Sequence, residues 1–374
     1  MERVKNTFMT NTRQSNIELL RIIAMLIIVA HHIAFHSDFA FGNTSISFNR
    51  LWVQFIELGG KIGVNIFVLI SGYFGVSSAY IKKDKVVKLW LQIFSYSALC
   101  FLIAILFLGE NLGLKSLIKS FLPITFSQWW FASTYFVLYL LSPFINRFLK
   151  SLDQKTYRNF LLLLFFMWCF IPTFLSTSWE ANPLLWFVFL YSCSGYIRLH
   201  LNVSTYKKSF VWAGIMIFLT YLSVVVFDIL GTKISLFASH ATYFYGMEKL
   251  PALLISILLF VGFLNLKIGY QPMINMISSA TFGVYLIHDN DYIRDFLWIR
   301  LFKNQNYASS KFLAPYTILQ VIIVFVVCIL IELFRINLIE KRYGKCIEWL
   351  LDYTEKFLNK VKSTKLYSKI VDFV

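Results

Sequence analysis

Apolar runs long enough to cross the ~30 Å hydrocarbon layer of a bilayer recur at about 17–35, 58–78, 86–108, 129–149, 159–177, 183–199, 209–230, 250–269, 274–293 and 316–335. Inside lipid every backbone N–H and C=O must be satisfied within its own segment, and a helix does this residue by residue. The expected fold class is therefore all-α: a polytopic membrane helix bundle of about ten transmembrane helices. Composition agrees, since 58% of the 374 residues are hydrophobic and 14% charged, whereas ordinary globular chains carry about a quarter charged residues.

A net charge of +16 would suggest nucleic acid in a soluble chain, but Lys and Arg fall mostly in the short connections. No nucleic-acid partner is expected; the placement is a topology signal. Arg3, Lys5 and Arg13 precede the first run, and Lys82, Lys83, Lys85 and Lys88 follow the second. Arg147, Lys150, Lys155 and Arg158 come after the fourth, and Arg198, Lys207 and Lys208 after the sixth. Both ends are thereby expected on the cytoplasmic side. One connection disagrees, because 294–311 places Arg294, Arg300, Lys303 and Lys311 on the outer side. The outer connections 36–57 and 231–249 are longer than turns and rich in Phe, Ser, Thr and Tyr, as at an interfacial aromatic belt.

The first apolar run follows a polar stretch and ends in histidines, so no cleavable leader is expected. Residues 1–340 read as one membrane domain. Residues 341–374 read as a basic amphipathic tail on the cytoplasmic face, with Ile347, Leu350, Leu351, Phe357, Leu358 and Val361 at helical spacing. Cys100, Cys169, Cys193 and Cys328 lie inside apolar runs with neither pairing nor metal spacing, the pattern of small buried hydrophobes. No metal site is expected.

The polar residues within the runs carry the chemistry. Each residue of an α-helix turns about 100° and rises about 1.5 Å, so Arg21 and His32 share one stripe and lie about 16 Å apart along the axis. Glu18 and His36 fall on the same side, whereas His31 points away. A charge near mid-helix costs about 2.5–3.5 kcal/mol on insertion scales, and such groups normally face a bundle interior or a wet cavity. The alternative is that Arg21 snorkels or pairs with Glu18 while the histidines meet the outer interface.

Other motifs converge on that interior. The small residues of "GGKIGVNIFVLISGYF" (59–74) permit close helix approach, with Asn65 and Ser71 available to bond across helices. Tyr135 and Tyr139 lie at i, i+4 on the fourth run, and the ninth ends in His288 and Asp289. A carboxylate orients an imidazole, although adjacent helical residues diverge. No phosphate-binding loop, dinucleotide fingerprint, zinc-protease motif or nucleophile elbow is present.

With these residues in view, the chain resembles the acyltransferase-3 family of integral membrane acyltransferases, especially members that O-acetylate bacterial surface polysaccharides. "SNIELLRIIAMLIIVAHH" is similar to the family's opening helix, whose Arg-x10-His signature falls on Arg21 and His32. "GVNIFVLISGYF", "WWFASTYFVLYLLSPFIN" and "SSATFGVYLIHDN" resemble its second-helix, fourth-helix and late motifs. Where many members carry Arg-x-x-Arg after the second helix, this chain has Lys85-x-x-Lys88, which keeps the charge without the bidentate fork.

The resemblance implies transfer of an acyl group, acetyl above all, from cytoplasmic acyl-CoA to a hydroxyl of a cell-surface polysaccharide or its lipid-linked precursor, in the cell membrane of a bacterium. His32 would be the base. Arg21 would position the CoA phosphates or polarise the thioester, with Lys82, Lys83, Lys85 and Lys88 as the donor-binding cluster. Glu18, Tyr135, His288 and Asp289 are second-rank substrate contacts, and acetyl-CoA is a donor substrate, not a resident cofactor. The rival class is a proton-coupled transporter or polysaccharide flippase, which intramembrane charges also mark; the chain lacks the internal repeat common in such carriers. A non-catalytic scaffold is the third class.

Overall fold

In the computed structural model, described for residues 13–41, 46–175, 177, 182–340, 342–344, 352, 353 and 356, every regular element is helical. The opening run is α1 (Ser15–His36). Next, α2 (Phe48–Glu57) continues through Leu58 into α3 (Gly59–Gly75), followed by α4 (Lys83–Leu106), α5 (Leu114–Phe121) and α6 (Trp130–Ser151). A π turn at Phe166–Phe170 joins α7 (Gln154–Phe165) to α8 (Ile171–Leu175). Then come α9 (Pro183–His200), α10 (Ser209–Gly231), α11 (Ser235–Ser239) and α12 (Leu250–Asn265). The chain closes with α13 (Pro272–Ser279), α14 (Thr281–His288), α15 (Asp291–Asp295) and α16 (Leu313–Phe334).

Among the described residues, seven stretches are long and apolar enough to cross a bilayer: Ser15–His36, Phe48–Gly75, Lys83–Leu106, Gln154–Leu175, Ser209–Gly231, Ser235–Asn265 and Leu313–Glu340. The chain is a multi-pass membrane protein. The other three expected spans differ for physical reasons. α6 and α9 are helices of spanning length diluted by Trp, Tyr and Ser. The ninth run breaks between α13 and α14 and again at Asp289, whose φ of −103° and ψ of 13° end α14. Asn290 then starts α15 by accepting a hydrogen bond from the Tyr292 N–H at 3.0 Å.

The second half of the stretch 36–57, expected as a connection, is α2. Its apolar residues have helical spacing, and Ser47 caps it by accepting from the Arg50 N–H. Asp153 likewise caps α7, and hydrogen bonds from Thr156 hold its carboxyl below the usual range. The basic amphipathic tail expected at 341–374 lies, apart from 342–344, 352, 353 and 356, outside the described residues.

α1 is the hub of the bundle, packing against α2, α3, α12, α13, α14 and α16, while α3 touches α1, α6, α9 and α12. Glycines set both α3 interfaces. A Cβ on Gly63 would stand 2.8 Å from the Ala24 carbonyl of α1, and one on Gly72 would stand 2.6 Å from the Tyr191 carbonyl of α9. Asn65 crosses helices as its type suggests, donating to the Met247 carbonyl and accepting from Trp186 Nε1, both at 2.9 Å. Large apolar side chains on α10 and α16, such as Phe218, Leu222, Ile322 and Leu330, remain exposed for lipid.

Candidate active site

The break at Asp289 decides the site. Because α14 ends at His288, the two residues do not diverge as they would along a continuing helix, and both reach α1. His32 Nδ1 lies 2.8 Å from His288 Nε2. Asp289 Oδ1 lies 3.7 Å from His32 Nδ1 and 3.5 Å from His36 Nε2.

Hydrogen-bond chemistry assigns the tautomers. His288 Nδ1 stands 2.6 Å from the Val284 carbonyl, which only accepts, so that nitrogen carries the proton. In the neutral ring Nε2 is then an acceptor, and His32 Nδ1 must donate to it. The lone pair of His32 is left on Nε2, which has no hydrogen-bond partner among the described residues. His31 is separate, with Nδ1 donating to the Glu57 carbonyl at 2.7 Å. His32, His36 and Asp289 offer donor atoms within 4.8 Å of one another, close enough for a metal ion. The His32 nitrogen near Asp289, Nδ1, is already bonded to His288.

His32 lines a small cavity between α1, α3, α6 and α14, together with His31, Lys61, Trp130 and Tyr285. Phe67, Phe131 and Phe282 form part of its wall and also line a second, larger cavity that contains Glu18, Arg21, Ser71 and Tyr135. Arg21, Ser71 and Tyr135 are shared in turn with a third cavity, whose lining includes Tyr80, Lys82 and Lys85. A row of cavities thus follows α1 from the lysine cluster to the imidazole, narrowed by three phenylalanines.

The expected site residues fall along this row unevenly. Arg21 Nε lies 3.4 Å from Glu18 Oε2, the pairing foreseen as the alternative, yet the guanidinium still lines two cavities. Glu18 also accepts from Ser278 Oγ, which fastens α1 to α13. Ser71 Oγ donates to Tyr135 OH at 3.3 Å across α3 and α6. Lys82 and Lys85 reach the third cavity; Lys83 and Lys88 line none of these three. Arg294, whose position opposed the charge pattern of the connections, lies 4.0 Å from Asp289 and 3.0 Å from Asp291, so it has a local electrostatic partner. Lys61 and the phenylalanine constriction were missed from sequence. Lys61 stood in view as a charge inside an apolar run, whereas the phenylalanines are unmarked among 39.

The arrangement is suited to proton transfer at a half-buried imidazole, in a mostly apolar chamber at the far end of a row of cavities with a cationic mouth. Comparison with protein families gives a match to an acyltransferase domain over residues 14–333. Neither a curated protein nor a solved structure matches the chain. The matched span takes in the Arg21–His32 stripe, all three cavities and the His288–Asp289 corner, nearly the whole chain, and the protein accordingly belongs to the acyltransferase-3 family.

Proposed function

We propose that the protein takes an acetyl group from cytoplasmic acyl-CoA and transfers it to a hydroxyl of a surface polysaccharide or its lipid-linked precursor, with both chain termini cytoplasmic. The observation that carries this is the His288–His32 pair, because its tautomers leave the basic nitrogen of His32 available at the end of a row of cavities that starts at lysines. In the reaction, His32 Nε2 takes the proton of the acceptor hydroxyl as its oxygen attacks the thioester carbon. The C–O bond forms, the C–S bond breaks, and the departing sulfur receives the proton back from Nε2. His288 Nε2 accepts from His32 Nδ1 throughout, and Asp289 at 3.7 Å favours the transient imidazolium.

The donor would enter with its phosphates among Lys82, Lys85 and Arg21, anions drawn to a cationic mouth. Its acyl end would pass Phe67, Phe131 and Phe282 into the apolar chamber at His32. Arg21 lies eleven residues from His32, about 16 Å along the helix. It therefore serves the donor's far end and not the reacting carbonyl.

The test is NMR of surface polysaccharide from cells carrying wild type, a deletion and His32→Ala. Acetyl signals absent from both mutants, with polymer length unchanged, support the transferase and its base. Polymer lost altogether would identify a flippase instead.

A further inference from the structure

Resting on the transfer chemistry proposed above, we propose that Lys61 supplies the positive charge that holds the oxyanion formed when the acceptor oxygen attacks the thioester. Addition moves the carbonyl π pair onto oxygen, and a buried site needs a fixed donor aimed at that atom. Arg21 is too distant, and Arg294 is tied to Asp289, Asp291 and Asp295. Among the described residues lining the His32 chamber, Lys61 is the sole Lys, Arg, Asp or Glu.

Its setting is that of a group kept for a ligand. Lys61 is half-buried in a span, where an ammonium is expensive to hold. Arg21, Arg50 and Arg335 each meet a carboxylate within 3.4 Å. Lys61 makes no ion pair of 4.0 Å or less among the described residues, and its Nζ lies 5.2 Å from the centre of the Trp130 ring, a wall of the same chamber. The ring stabilises the cation and leaves its N–H donors unclaimed. Placement follows from the glycine contact, since a Cβ on the preceding Gly60 would stand 2.1 Å from the His31 ring. The closeness of α1 and α3 at His31 brings Lys61 into the lining of the chamber that His32 also lines.

In this step Lys61 gives up no proton. It donates a hydrogen bond to the oxyanion, and collapse returns that electron pair to the carbonyl as the C–S bond breaks and the sulfur takes the proton held by His32. Water in place of the acceptor forms the same oxyanion, so slow acceptor-free hydrolysis of acetyl-CoA reports on Lys61 without the sugar.

The experiment uses the full chain in liposomes, comparing wild type, Lys61→Met and Lys61→Arg for transfer and for acceptor-free hydrolysis. Lys61→Met is expected to lower kcat for both by about 10²–10³-fold, with KM for acetyl-CoA changed by less than about 3-fold and Lys61→Arg restoring part of each rate. Transfer lost while hydrolysis stays at the wild-type rate would place Lys61 on the acceptor and overturn the proposal. Equal rates in all three proteins would also overturn it. A wild type that turns over no acetyl-CoA in either assay would instead sink the parent transferase reading, and this one with it. Thermal unfolding of each variant separates loss of charge from loss of fold.

Discussion

Nδ1 of His32 and Nε2 of His288 stand 2.8 Å apart across 256 residues of sequence. With the proton of His288 held by Val284, the second ring acts as an acceptor that orients the first. His288→Ala removes the acceptor and leaves a buried His32 N–H without its partner. The expected outcome is a fall of about 10²-fold or more in kcat, with KM for acetyl-CoA nearly unchanged, measured by single-turnover transfer in liposomes. A KM effect alone would assign His288 to substrate binding.

Arg21 and His32 occupy different cavities on the same helix face. Arg21→Gln is therefore expected to raise KM for acetyl-CoA by about 10-fold, the loss of one charge-assisted contact, while kcat at saturation changes little. Steady-state kinetics decide the matter. A kcat loss comparable to that of His32→Ala would return Arg21 to the reacting carbonyl.

The third cavity meets a further groove that shares Ser78 and Tyr80 and carries Asn146, Arg147 and Lys150. CoA bears a diphosphate and a separate 3′-phosphate, so two neighbouring cationic patches suit it. Acetyl-dephospho-CoA should be a poorer donor than acetyl-CoA for the wild type by about 3–10-fold, a modest figure because both cations are exposed. In the Arg147→Gln/Lys150→Gln variant the preference should vanish, as read from competing donors in one assay.

The glycine contacts give a paired stability prediction. Gly63→Val places carbon against the Ala24 carbonyl and the Ile28 side chain, both within 2.8 Å of the Cβ position. Forcing α1 from α3 is expected to destabilise the protein by about 1–3 kcal/mol and to abolish transfer by moving Lys61 from His32. Gly214 on α10 has nothing within 4 Å of its Cβ position, so Gly214→Ala should be neutral or slightly stabilising. Thermal unfolding in detergent compares the two.

Much of this was legible in the sequence because lipid imposes simple rules. Apolar runs announced helices, and the eleven-residue spacing put Arg21 and His32 on one stripe, where both line cavities. The His32–His288 contact could not be read that way. It needs the tertiary placement of α14 on α1, and helix periodicity extrapolated past His288 would send Asp289 away from the same site. α2 was hidden for a related reason: its polar and aromatic mixture resembles an interfacial loop until Ser47 is seen capping it. Lys61 sits in sequence within a motif of small packing residues, and only the tertiary fold brings it to Trp130 and the chamber that His32 lines.

The helix that carries His288 is braced by a buried carboxylate. Glu332 on α16 is fully buried and packs against Gly283 of α14, leaving no room for a Cβ there. Arg335 grips both its oxygens at 2.8 Å, Tyr96 donates to it at 2.5 Å and Gln92 at 2.8 Å. Removing one partner of such a pair strands a charge at a cost of about 3–5 kcal/mol, whereas replacing both with apolar residues is often neutral. Arg335→Met should therefore lower the unfolding temperature sharply and reduce transfer, because α14 shifts and takes the His288 acceptor with it. Glu332→Leu/Arg335→Met should recover most of the stability. If the double variant is as unstable as the single one, the ion pair itself holds α14 in place, and the loss cannot be ascribed to a stranded carboxylate.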